Sequence, residues 1–349
     1  MIEFLSQYSL FLAKSLTFLV VIVVGFACLV SIIQKAKSSS EDGYLVINPI
    51  NEKIDDIRYS IQSETLSKQE WKKWQKNEKN KNKTKNKSEK SVSTKTDPRL
   101  FIINFEGDIR ASGLTGLREV VSAIIESTNP QDQDEVLVVL DSAGGFVHSY
   151  GLAASQLTRL RDHGLHLTVA IDKVAASGGY LMACVAHRIL AAPFAIIGSI
   201  GVVAQVPNFH RLLEKHNIDY EQLTAGEYKR TLTLFGENTP KAREKFQEEL
   251  EVTHRLFKQY IVNHRPQVDI DLVATGEHWH ALEAIKIQLI DVIQTSDDYI
   301  LSAAKTKRVF EVRYEEKQRL KDKIQGVISG CVETLIKKLA ACHPSSWMT

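Results

Sequence analysis

An α/β fold with a covered parallel sheet is predicted for the body of this 349-residue chain by three observations. Strand-like and helix-like stretches alternate from Arg99 to Ala186 at the spacing of βαβ units. The run Glu135-Val136-Leu137-Val138-Val139-Leu140 is apolar on both faces, as in a strand with helices above and below it. Glycine-rich turns follow two of the strands, Asp141-Ser142-Ala143-Gly144-Gly145 and Ala176-Ser177-Gly178-Gly179, where an open parallel sheet forms its binding crevice.

The N-terminus reads as a membrane anchor. Ser15 to Ile33 is a run of 19 uncharged, mostly apolar residues, which as a helix spans about 28 Å. Lys14 abuts the run, and the run is too long for a cleaved signal peptide and lacks a small-x-small cleavage site, so residues 1–37 are read as a retained anchor. Lys35 and Lys37 after the span, against Glu3 and Lys14 before it, mildly favour a cytoplasmic body by the positive-inside rule. Residues 38–97 are predicted to be a polar Lys/Asn-rich tether that begins with a short mixed segment, Tyr44 to Ile47 and Ile54 to Ile61, and continues as low-complexity sequence too poor in apolar residues to order itself. Within it, Trp71 and Trp74 lie among lysines, a pattern that suits either a solvated spacer or a short helix on anionic headgroups.

The formal net charge of +2 hides this basic tether, so the remainder is mildly acidic, which argues against nucleic-acid binding by the folded part. Cys28, Cys184, Cys331 and Cys342 show no metal-ligand spacing, and Cys28 and Cys184 read as packing residues in apolar runs.

The body, residues 98–305, opens with a strand from Arg99 to Phe105 and an amphipathic helix from Leu114 to Glu126 carrying Leu117, Val120, Val121, Ile124 and Ile125 on one face. The Glu135–Leu140 strand, a helix over Ser149 to Asp162 and the strand Leu167 to Ile171 follow. The apolar stretch Ala191 to Val203 is interrupted by Pro193, Gly198 and Gly201, which favours an internal strand pair over a second membrane span. A strand-like piece is expected at Tyr220 to Thr224, and helices at Pro240 to His264 and Leu282 to Leu289. Residues 306–349 are expected to form a strand and an amphipathic helical tail, a seam for packing, oligomers or a membrane surface.

Ser177 supports two readings. Serine is a good helix N-cap, and the plain tripeptide Ser-Gly-Gly favours that role. The glycines also leave space above the hydroxyl and let N–H groups converge there, which suits a nucleophile. A nucleophilic serine needs a base; His148, His163, His166 and His187 fall at element ends, and His278-Trp279-His280 lacks metal spacing. Lys229, beside the cation Arg230, is a further option, because burial or neighbouring cations can turn an amine into a general base. Gly144 or Gly145, with Gly178, could supply N–H donors for an oxyanion.

Taken together, Asp-Ser-Ala-Gly-Gly at 141–145, Val-Ala-Ala-Ser-Gly-Gly-Tyr at 174–180, Gly-Ser-Ile-Gly-Val at 198–202 and Gly-Glu-Tyr-Lys at 226–229 resemble the signal peptide peptidase A (protease IV) family of Ser/Lys proteases over about Phe101 to Ile293. The resemblance implies a ClpP/crotonase-like βαβ superhelix with Ser177 as nucleophile, Lys229 as general base, and Gly144 or Gly145 plus Gly178 as oxyanion donors. It implies a serine endopeptidase that needs no cofactor and acts on peptides or unfolded proteins. A homo-oligomer would complete the sites, and the family's topology puts the catalytic body on the periplasmic side of a bacterial inner membrane. Two positions depart from the family: Ala143 replaces the usual proline, and Gln288 stands where a glycine is expected. A crotonase-type acyl-thioester enzyme would use the same glycines and leave Ser177 and Lys229 idle, and a non-catalytic membrane scaffold would use neither.

Overall fold

The structure, a computed structural model, describes Leu16, residues 43–91 and residues 98–316. The expected anchor over Ser15 to Ile33 and the expected helical tail beyond residue 316 lie outside the described residues apart from Leu16. Among the described residues no helix is long and apolar enough to cross a membrane.

In chain order the elements are β1 (Tyr44–Pro49), α1 (Ile50–Thr65), α2 (Lys68–Ser91), β2 (Arg99–Gly107), α3 (Leu114–Ser127), β3 (Glu135–Ser142) and α4 (Val147–Asp162). Then come β4 (His166–Ile171), β5 (Val174–Ala176), α5 (Gly178–Ala183), β6 (Arg188–Ala191), β7 (Ile196–Gly198), α6 (His210–Lys215) and α7 (Pro240–His264). The last are α8 (Ile270–Val273), β8 (His278–His280), α9 (Ala281–Ala284), β9 (Val292–Ile293), α10 (Ser296–Ala303) and β10 (Arg308–Glu315).

The strands form one sheet in the order β1-β10-β2-β3-β4-β6-β9, parallel from β10 to β9. A side branch leaves it where β5 pairs with the end of β3, Ala175 opposite Ser142, and continues through β7 to the antiparallel β8. The expected alternation of strand and helix is present, and β3 is covered on both faces. Val136, Val138 and Leu140 face one buried cluster with Leu117, Val121 and Ile124 of α3 and Tyr150, Leu157 and Leu160 of α4. Leu137, with Leu100, Ile102, Ala170 and Leu190, faces a second cluster closed by Tyr299, Ile300 and Ala303 of α10. Each such aliphatic side chain contributes about 1.5–3 kcal/mol by leaving water, so the two-faced burial of β3 makes it the centre of the fold.

Three expectations need correction. Over its described residues 43–91 the segment 38–97 is more than a tether: β1 joins the sheet, and α1 and α2 are helices, the second taking in the short helix that is one reading around Trp71 and Trp74. Local contacts account for this. Tyr59 lies edge-on to Trp71 at 4.8 Å, and Trp71 stacks on Trp74 at 5.1 Å, so the aromatic side chains clamp the two helices together. Ser67 and Glu70 form a capping box at the second helix, and lysine itself is a good helix former. Asn51 fastens the start of α1 by donating to the carbonyls of Ala304 and Lys307 and accepting from Val309 N–H. Second, Tyr220 to Thr224 is exposed chain outside any strand. Third, the helix expected over Leu282 to Leu289 is only the single turn α9.

That last helix ends early because Gln288 sits at φ 61, in the left-handed region. The family resemblance calls for glycine there, and the backbone supplies the reason, since a side chain in this region costs about 1–2 kcal/mol. Its side chain is exposed, while its carbonyl accepts from Arg265 at 2.9 Å. Gln288→Gly keeps that carbonyl and removes the strain. After the extra flexibility of the unfolded chain is set against it, the expected gain is about 0.5–1 kcal/mol, a rise of roughly 1–4 °C in a thermal melt.

Candidate active site

The side branch of the sheet brings three of the sequence motifs together. β5 delivers Ser177 to a strand-to-helix elbow with φ 51 and ψ −118, a conformation that L-residues rarely adopt. Such backbone costs of order 1–3 kcal/mol and persists only where its surroundings enforce it. The enforcement is visible: Ser177 N–H donates to the Gly198 carbonyl at 2.8 Å, and the Ser177 carbonyl accepts from Leu181 N–H at 2.9 Å. The serine stands at the N-cap position of α5, yet its side chain makes no capping bond. The capping reading therefore fails on geometry, and the hydroxyl is left without a hydrogen bond among the described residues.

The glycines around it are there because chains pass too closely for a Cβ. At Gly178 a Cβ would lie 2.4 Å from Tyr150 Cγ, and at Gly179 it would lie 2.4 Å from the Ser142 carbonyl oxygen. Gly144, at φ 89, would place one 2.6 Å from Gly178 N and 2.8 Å from Ser177 Cβ. At Gly145 a Cβ would meet the Ile109 carbonyl oxygen at 2.1 Å. The Asp141–Gly145 loop is thus pressed against the serine elbow on one side and the turn after β2 on the other.

A buried chain of hydroxyls fixes that loop, and sequence reasoning missed it. Gly144 N–H donates to Ser142 Oγ at 3.1 Å, Ser142 Oγ and Tyr150 Oη are 2.6 Å apart, and Tyr150 Oη donates to the Asp108 carbonyl at 2.7 Å. Since the tyrosine proton is committed to a carbonyl, the serine proton points to the tyrosine oxygen. Burial pushes the Tyr150 phenol above its ordinary pKa, so it stays protonated. Gly144 N–H is therefore already engaged, whereas Gly145 is exposed and Gly178, as the first residue of α5, has no carbonyl one turn back within its helix. The only sequence hint was a tyrosine on the apolar face of α4, whose hydroxyl must find a partner if buried.

Ser177 opens onto a cavity of about 180 Å³ lined by Gly145, Val147, Tyr150, Gly151, Gly178 and Leu181, with Gly201 and Val202 from the Gly198–Val202 motif. Thr253, Leu256, Phe257 and Tyr260 of α7 form the far wall. No histidine, carboxylate or lysine is among the lining residues. Cys184 lies nearby in sequence but is fully buried, and burial pushes its thiol pKa up, so it is not an alternative nucleophile. Among the described residues no group of three or more His, Cys, Asp or Glu is placed to hold a metal ion.

Lys229 is not brought to this cavity within the chain. It is exposed in a turn whose backbone N–H bonds the Gly226 carbonyl at 3.2 Å. The turn rests on the first part of α7: Glu227 pairs with Lys241 at 2.6 Å, and Lys241 and Lys245 lie 5.9 and 5.4 Å from the Tyr228 ring. From Lys245 to the cavity wall at Thr253–Phe257 is about 12–18 Å along the helix axis.

The site is thus a strained serine with no side-chain hydrogen bond among the described residues, at the mouth of an apolar cavity on an α/β scaffold. The chain belongs to peptidase family S49: the Peptidase family S49 N-terminal domain matches residues 3–157, and the Peptidase family S49 domain matches residues 159–310. It is 50% identical over 325 residues to the probable protease SohB of Haemophilus influenzae, covering 91% of each chain. It is 45% identical over 337 residues to that of Buchnera aphidicola subsp. Schizaphis graminum, covering 96% of this chain and 97% of the relative. Among solved structures it is similar to a 1510-N membrane-bound stomatin-specific protease, at 15% identity and a TM-score of 0.39, over 67% of this chain and 99% of that one.

Proposed function

We propose that this chain is a membrane-anchored serine endopeptidase that hydrolyses apolar, extended peptides such as signal-peptide remnants and misfolded segments. Ser177 Oγ attacks the scissile carbonyl as Lys229 takes its proton. The C–N bond then breaks, the amine leaves with that proton from Lys229, and water, deprotonated by the same lysine, hydrolyses the acyl-enzyme to the acid and free Ser177. The N–H groups of Gly145 and Gly178 receive the oxyanion, and the Ser142–Tyr150 hydroxyl chain holds the first of them in place. The observation that carries this reading is the Ser177 elbow, strained and uncapped, facing the apolar cavity. The ClpP/crotonase-like superhelix is the finer description of the fold that goes with it.

Lys229 would act across a subunit boundary. The turn that carries it packs on Lys241 and Lys245 of α7, and Lys245 lies about 12–18 Å along the helix from the cavity wall, which supports a second copy as the donor of the base. So does the apolar exposure of the segment that carries it, where Val203 and Leu223 are 80% and 94% exposed. The run Ser15 to Ile33 would anchor the body to a bacterial inner membrane, with the periplasmic side as its place of action.

The full-length protein in detergent should degrade an unfolded protein and a synthetic signal peptide, and an acylating serine probe should label Ser177. Ser177→Ala and Lys229→Ala should each be inactive alone and regain activity on mixing, as subunits with complementary intact groups meet. Full activity in Ser177→Ala would overturn the assignment, and failure of the mixture to recover would place both groups in one chain.

Tyr150→Phe separates positioning from binding. The variant keeps the ring against Gly178 but frees the Asp108 carbonyl and loosens the Gly145 loop. The expected result is a fall in kcat of about 10–100-fold with KM nearly unchanged, measured by steady-state peptide hydrolysis.

A further inference from the structure

Most glycines near the serine have an evident steric reason, and Gly151 has none. It lies in the second turn of α4, where glycine is roughly 1 kcal/mol less favourable than alanine. Its φ is not positive, and a Cβ built there would meet nothing within 4 Å, in contrast to the collisions at Gly144, Gly145, Gly178 and Gly179. Neither backbone conformation nor packing within the chain asks for glycine. The open space above Gly151 belongs to the cavity that also borders Ser177, Val147, Leu181 and Leu256.

The size of that cavity indicates an occupant. A dry cavity of about 150 Å³ lined by aliphatic and aromatic side chains accepts benzene, and the space here is about 180 Å³ with Val147, Leu181, Val202, Leu256 and Phe257 around it. A phenylalanine or leucine side chain fills such a volume, whereas alanine leaves most of it empty.

We infer that Gly151 is a specificity-determining residue: the missing side chain gives the pocket the depth that admits an aromatic or long branched apolar residue next to the scissile bond. The inference rests on Ser177 being the nucleophile at this cavity. The helix gives up local stability at Gly151, and the gain is space for the substrate.

The test compares matched peptides that carry Phe, Leu or Ala at the residue preceding the scissile bond, cleaved by full-length wild type, Gly151→Ala and Gly151→Leu. The kcat/KM ratio of Phe to Ala substrates is the readout. Since removing one methylene of fit changes kcat/KM by about 10–200-fold, Gly151→Leu should lower the ratio by roughly 100-fold, with Gly151→Ala in between. Thermal melts should show neither variant less stable than wild type, as both replace helical glycine with a better helix former. Labelling of Ser177 by a small acylating probe should persist in both. An unchanged Phe-to-Ala ratio with normal labelling overturns the role of Gly151 alone. Absence of labelling and cleavage in wild type overturns the nucleophile assignment and this inference with it.

Discussion

Replacing Ser177 by alanine is expected to reduce kcat by on the order of 10⁶-fold, as when the nucleophile of a serine protease is removed and only oxyanion donors and binding remain. The fold should survive, because the Ser177 hydroxyl makes no hydrogen bond among the described residues and the backbone bonds to Gly198 and Leu181 do not involve it. Alanine retains a Cβ and so retains the strain of φ 51 and ψ −118. Ser177→Gly removes that strain and should melt higher than Ser177→Ala, by about 1 kcal/mol of stability, while being equally inactive. Residual hydrolysis and melting temperature, measured on both variants, check the two halves separately. A Ser177→Gly protein less stable than Ser177→Ala would show that the elbow is not strained by its side chain. That pairing of lost activity with gained stability is the mark of a site held in place by the rest of the fold.

The largest expected loss of stability follows Arg265→Ala. Arg265 is 2% exposed and closes α7 with its backbone N–H on the Ile261 carbonyl. Its guanidinium makes a two-pronged pair with Asp291 at 2.8 and 2.9 Å and a further bond to the Gln288 carbonyl. Burial disfavours the cation, but Asp291, together with Tyr180 and Cys184 beside it, offsets this and the pKa stands above its usual value. Asp291 in turn accepts from Ile189 N–H at 2.7 Å, so one ion pair ties α7 to β6 and to the turn before β9. Removing the arginine leaves the carboxylate and the Gln288 carbonyl short of partners, for an expected cost of about 3–5 kcal/mol. In a domain of this size that is a drop of roughly 6–20 °C. Arg265→Lys should recover little, because an ammonium cannot make the two parallel bonds. Denaturant melts of the two variants decide it: equal stability of Arg265→Lys and wild type would reduce the pair to a simple charge contact. Because α7 also forms the far wall of the cavity, activity should fall with stability.

Much of this was readable before the fold was known. The periods of α3, β3, α4 and β4 are strong because each buries a full face, and burial writes its period into the sequence. The motif order carried the family because the glycines mark these turns in the sequence, although the close approaches that require Gly178 and Gly145, to Tyr150 and Ile109, come from distant segments. The helices of residues 50–91 were readable only as a short helix around Trp71 and Trp74, because the contact that holds α1 against α2 is a few aromatic rings between Tyr59 and Trp74 rather than a continuous apolar stripe. The short α9 was misjudged because nothing local announces that Gln288 adopts a left-handed backbone.

By itself the sequence determined the α/β class, the strand-turn-helix around Ser177, the positions of the glycine-rich turns and the apolar N-terminal run, all of which are written in residue order along the chain. Tertiary structure alone decided that Gly144 N–H is spent on Ser142, that Tyr150 anchors the loop, that Lys229 lies away from the cavity, and that Gly151 opens it. Those outcomes depend on which distant segments approach within a few ångströms, and close packing between segments far apart in sequence leaves no periodic signal to read.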